Sequence, residues 1–78
     1  MGERAMQCLV CGEPAKDITA PGFDGRSVRC RDCGDYDVAG GYDTKLVELD
    51  LEDRWGVLRK ARRFATGGAR PCISGTSF

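Results

Sequence analysis

Cys8-Leu9-Val10-Cys11-Gly12 and Cys30-Arg31-Asp32-Cys33-Gly34 are the two stretches that decide how this chain folds. Each is a Cys-x-x-Cys followed by glycine, and eighteen residues separate Cys11 from Cys30. In a Cys-x-x-Cys turn both sulfurs can face one ion, and two such turns at this interval supply four thiolates. The glycine lets the chain leave the turn with positive φ, which frees backbone N–H groups to point at the sulfurs. Four thiolates suit a tetrahedral zinc ion, and the chain has no histidine to make a mixed site. A closed all-sulfur shell has no position for water or substrate, so the expectation is one structural zinc on Cys8, Cys11, Cys30 and Cys33. The same sulfur geometry accepts iron, and two disulfides or a redox dithiol are the remaining alternatives.

The chain's size gives such a staple a purpose. Seventy-eight residues are enough for one small domain, in which the apolar surface available for burial is marginal. A composition 41% hydrophobic and 31% charged is that of a folded chain. There is no apolar run of about 18 residues, so no membrane span is expected. The opening MGERAMQCLVCG has neither a long apolar core nor a small-residue cleavage pattern, so it does not read as a signal peptide. A cytoplasmic location follows as the expectation, and there paired cysteines favour metal over disulfides. Cys72, the fifth cysteine, has no neighbour in sequence to pair with and is expected to be a small buried or half-buried apolar residue.

Between the knuckles, residues 15–20 and 26–30 are short, partly alternating runs. Pro21, Gly22, Asp24 and Gly25 separate them, which predicts a hairpin with a loop of about five residues. Residues 36–39 predict a third strand, closed by Gly40-Gly41. Residues 51–66 predict a helix with Asp50 as its N-cap, Glu52 and Asp53 in the first turn, and Gly67-Gly68 as the stop. At 100° per residue, Leu51, Trp55, Val57, Leu58, Ala61, Phe64 and Ala65 share one half of that helix. Arg54 and Arg62 fall at the edge of the apolar half and must snorkel or pair. Ile73 and Phe78 either dock on the rest or leave the end loose.

Residues 6–41, with CLVCG and VRCRDCGDYDVAGG flanking a hairpin, resemble the zinc-ribbon superfamily. Cys8, Cys11, Cys30 and Cys33 match the ribbon's ligand positions one for one. The run from Cys33 to Gly40, followed by a helix, is similar to ribbons at the start of bacterial and prophage proteins of no established activity. The resemblance implies a small α+β metal-stabilised domain, a zinc ribbon of about three short antiparallel strands followed by one C-terminal amphipathic helix. Residues 1–45 would form the ribbon, and residues 46–78 a helix and tail packed on it, as a single domain. The acidic Asp-Glu hairpin tip of transcript-cleavage and polymerase-subunit ribbons is missing.

Charge and surface composition bound the function. The formal net charge is zero, and every acid lies in residues 1–53, whereas residues 54–78 hold six bases and no acid. Such a split points to an anionic partner for the C-terminal part, or to a helix complementing its own dipole. No Ser/His/Asp set, open metal position or phosphate loop is present, so neither catalysis nor a small-molecule substrate is expected. The leading expectation is an adaptor that docks on another protein, in the manner of a bacterial or phage accessory factor, with Trp55 and the helix face as contacts. The alternative is a nucleic-acid-binding or transcription-associated ribbon. It would use Phe23, Arg26 and Arg29 (with Arg31) on the hairpin, and Arg59, Lys60 and Arg63 along the helix. Zero net charge argues against that alternative.

Overall fold

Glycines at the ends of both knuckles and short alternating runs between them commit the chain to reversing direction every few residues. The computed structural model describes residues 4–65, 67 and 69–78. Five strands follow in order: β1 (Arg4–Gln7), β2 (Pro14–Asp17), β3 (Gly25–Cys30), β4 (Gly34–Ala39) and, at the far end of the chain, β5 (Cys72–Ile73). Two helices, α1 (Tyr42–Val47) and α2 (Leu51–Phe64), lie between β4 and β5, and a 3₁₀ turn covers Gly75–Ser77. The strands form one sheet in sequence order. The first three pairings are antiparallel, and β5 runs parallel to β4.

The three expected strands are present with shifted limits, and the sheet gains two more. β1 was not expected because Arg-Ala-Met-Gln has no alternating apolar signal and only Met6 is partly buried. It is a strand because the first knuckle folds it back onto β2, pairing Ala5 with Lys16 and Met6 with Ala15. β5 is two residues long and pairs with β4 only because two helices carry the chain back to that edge. The first helix, α1, is equally silent in sequence. Its six residues bury only Leu46, and its N-cap Gly41 offers no side-chain cap.

α2 begins as expected. Asp50 is extended, and its carboxylate accepts the Asp53 N–H at 3.0 Å. The helix ends at Phe64, where the Ala65 N–H closes on Ala61 O. Residue 66, assigned to the helix from sequence, and Gly68 lie outside the described residues.

One side of the sheet carries the core. Val10, Val28, Tyr36, Val38, Leu46, Leu58 and Ile73 are inaccessible to solvent, joined by Cys8, Cys30 and Cys33. α2 contributes Val57, Leu58 and Ala61. The apolar half expected from the helical wheel is therefore only partly used: Leu51 is 51% exposed and Phe64 66% exposed. α2 packs against β5 and the 3₁₀ turn, so a narrow edge of the sheet covers its middle and leaves both ends in solvent. Trp55 is partly buried and packs against the core. The tail is held: the Asp37 N–H donates to Pro71 O at 2.9 Å, and the rings of Tyr42 and Phe78 stack with centroids 5.7 Å apart. Cys72 is exposed, contrary to the burial expected of it. Strand alternation explains this, since β5 turns Ile73 inward and must turn Cys72 outward. No helix among the described residues is long and apolar enough to cross a membrane.

Candidate metal centre

Each knuckle is the turn of its own hairpin. The first links β1 to β2, and the Cys8 N–H bonds Glu13 O at 2.8 Å while the Gly12 N–H bonds Cys8 O at 3.0 Å. The second links β3 to β4, where Cys30 faces Gly34 in register. Gly12 and Gly34 both have φ of +80°, a conformation that strains other residues, so the repeated Cys-Gly has a backbone cause. β2 and β3 pair directly, placing Ala15 opposite Cys30, and this brings the two turns to the same end of the sheet.

The four sequence-predicted cysteines converge there. Their sulfurs all lie within 4.8 Å of one another. Cys8 Sγ is 3.7 Å from Cys33 Sγ, and Cys11 Sγ is 3.6 Å from Cys30 Sγ. A tetrahedral zinc with sulfurs at about 2.3 Å requires edges of about 3.8 Å, so the donor set fits such an ion. All five cysteines are free thiols, and Cys72 stands apart from the cluster.

The electrostatics of the cluster call for a cation. Burial, and then the neighbouring sulfurs of Cys11 and Cys8, push the Cys33 thiol well above the usual range. Burial likewise pushes Cys11 up to about 11. Burial also opposes ionisation of Cys8. There the Cys11 N–H, the Tyr36 hydroxyl and the Val10 N–H outweigh it and bring the thiol down to about 7. Cys8 is thus prepared as an anion while Cys11 and Cys33 resist joining it, a charge problem that a bound cation relieves.

Three side chains around the sulfurs carry no metal-binding signature in the sequence. Tyr36 is fully buried; its hydroxyl lies 3.2 Å from Cys8 Sγ and accepts the Leu9 N–H at 3.1 Å. With Cys8 ionised, the hydroxyl is the donor to sulfur. A tyrosine three residues after Cys33 reaches the metal end because β4 turns its ring inward, which only the strand assignment could signal. The other two are the arginines at the edge of the apolar face of α2, and both pair with backbone carbonyls. Arg54 donates to Leu49 O at 2.8 Å, to Val47 O at 2.6 Å and to Leu9 O in the first knuckle at 3.5 Å. Arg62 donates to Cys33 O in the second knuckle. α2 therefore holds both knuckles through charged donors that saturate their carbonyls.

Tyr36→Phe isolates the contribution of the hydroxyl. It leaves the Leu9 N–H without a partner, at an expected cost of about 1–3 kcal/mol. It also removes a donor to sulfur, and losses of this kind lower metal affinity by about 10-fold or more. Chelator competition and thermal melting on the purified variant check both numbers; values equal to wild type would remove the hydroxyl from the metal centre.

The other candidate contacts fall on separate surfaces. Phe23 is partly exposed at the β2–β3 tip. Arg26 Nη1 lies 3.1 Å from Asp17 Oδ2. The Thr19 hydroxyl and N–H, with Arg26 adding its charge, hold the Asp17 carboxyl below its usual range, so it is ionised and occupied with the arginine. Arg29 Nε is 3.3 Å from Asp35 Oδ1. Arg59, Lys60 and Arg63 project from the outer side of α2 and are exposed. Comparison of the chain with protein-family models, with curated proteins and with solved structures finds no match.

Proposed function

We propose that the chain is a zinc-ribbon module. In this reading one structural zinc on Cys8, Cys11, Cys30 and Cys33 holds a small rigid platform for docking on another protein. The observation that carries it is the convergence of four thiols within 4.8 Å at the joined ends of two hairpins. With zinc bound, these residues supply a closed tetrahedral shell whose chemistry is structural, so the working surface lies elsewhere on the fold. Exposed apolar side chains at both ends of α2, together with Val47 and Phe78, support protein docking.

The nucleic-acid alternative loses support at the hairpin, where Arg26 and Arg29 each face a carboxylate of the chain itself. Four thiolates and a divalent ion also bring the net charge to about −2, far from the basic footprint of a phosphate binder.

Elemental analysis of the purified protein is expected to give one zinc per chain, and Cys72→Ser to leave that value at one. A lower value in Cys72→Ser, or no tightly held metal in wild type, would defeat the assignment. Affinity capture from the native cytoplasm with and without nuclease tests the docking class, with nuclease-resistant protein capture expected.

A further inference from the structure

A groove of about 610 Å³ runs along the outer side of α2, between that helix and the C-terminal 3₁₀ turn. Leu49, Val57 and Phe78 give it apolar walls, and Arg59, Lys60 and Arg63 line it with positive charge. Arg59 and Arg63 have no carboxylate partner among the described residues, and Lys60 reaches an oxygen of Phe78, the last residue of the sequence, at 3.5 Å. Three other basic side chains of the surface contrast with them. Arg26, Arg29 and Arg70 each lie against a carboxylate, those of Asp17, Asp35 and Asp37. Asp53 closes the N-terminal end of the groove, so its field runs from acidic to basic along the helix.

Gly56 also lines the groove. Glycine destabilises a helix interior relative to alanine, and a Cβ added at Gly56 would meet nothing within 4 Å. The fold therefore does not require glycine there. What glycine provides is a notch where an approaching chain can come close to the helix backbone.

From these features we infer that the α2 groove binds an acidic peptide segment of a partner protein, one that places an apolar side chain over Gly56 and carboxylates against Lys60 and Arg63. This rests on the protein-docking reading above and names its surface. Charge complementarity selects the acidic class. The apolar walls select a segment with a hydrophobic anchor over a polyanion alone.

The probe is a fluorescein-labelled peptide of glutamate and leucine, titrated by anisotropy into the zinc-loaded protein. Controls are its glutamine-for-glutamate form, its alanine-for-leucine form, and a single-stranded oligodeoxythymidine of equal charge. Binding is expected for the parent peptide, with a loss of at least about 10-fold for either altered peptide and for the Lys60→Glu/Arg63→Glu protein, as a change of about 1.4 kcal/mol implies. Gly56→Gln is expected to raise the melting temperature and weaken binding, whereas a purely structural glycine would leave binding unchanged. Lys16→Glu/Arg31→Glu, on β2 and the second knuckle and outside the groove, is expected to bind as wild type does. Amide shifts on adding peptide are expected at Gly56, Val57, Lys60 and Phe78. Absence of binding, equal affinity for the alanine form, tighter binding to the oligonucleotide, or shifts centred on Lys16 and Arg31 would each overturn the inference. Zinc content and nuclease-resistant capture, measured separately, show whether only the groove has failed or the docking reading with it.

Discussion

Stripping the metal with a strong chelator is expected to unfold the whole domain. The strands are two to six residues long, and the knuckles join them in pairs. Structural zinc in small modules contributes about 10–16 kcal/mol of apparent binding free energy at neutral pH, and that binding energy is folding energy. Domains of ordinary stability have only about 5–15 kcal/mol in total, so loss of the ion exceeds what this core can withstand. Without it, four sulfurs within 4.8 Å lose the charge that lets them coexist as thiolates. Cys33→Ser is expected to have the same effect, because it removes a buried member of the four-thiol set. Circular dichroism and amide-proton dispersion, followed during chelation and zinc re-addition, read the transition. Retention of native dispersion without metal would show that the sheet and α2 suffice.

Leu58→Ala carries the second large effect. Leu58 is inaccessible to solvent and sits at the middle of the buried stripe of α2. Truncations of this kind cost about 2–5 kcal/mol, the transfer loss plus the cavity left behind. In a domain of this size each kcal/mol moves the melting temperature by about 4–8 °C, so a fall of roughly 10 °C or more is expected. Zinc stoichiometry should stay at one, because Leu58 belongs to α2 and the ligands to the hairpins. Leu51→Ala makes the contrast: it sits in the same helix and on the same half of the wheel, but is half exposed, so a change within about 0.5 kcal/mol is expected. Equal effects at the two positions would mean that α2 is not seated at its centre as described.

The two residues show where sequence periodicity stops being informative. A wheel assigns Leu51, Leu58 and Phe64 to one half because each lies at the right angle. It contains nothing about how wide a surface the helix will meet. The surface proves to be β5 and a 3₁₀ turn, so the middle of the helix is buried and the ends are not. Arg54 and Arg62 pose the same question in polar form. Their angle shows that they need partners, and only the folded chain shows those partners to be carbonyls of Val47, Leu49 and the two knuckles.

By itself the sequence determined the positions where local chemistry admits few alternatives. Two Cys-x-x-Cys-Gly turns specify a thiol cluster because spacing, turn geometry and ligand preference agree within five residues each. Asp50 specifies a helix start because its carboxylate meets the Asp53 N–H three residues on. Tertiary structure alone decided the rest. β1 and β5 become strands through neighbours they meet after the chain has turned, and Cys72 faces solvent because Ile73 takes the core. Tyr36 serves Cys8 because β4 turns it inward, and Arg26 and Arg29 are spent on carboxylates brought to them by strand pairing. The physical reason is common to all of these. Each depends on a contact between residues remote in sequence, or on how much surface another element presents, and no local pattern encodes either.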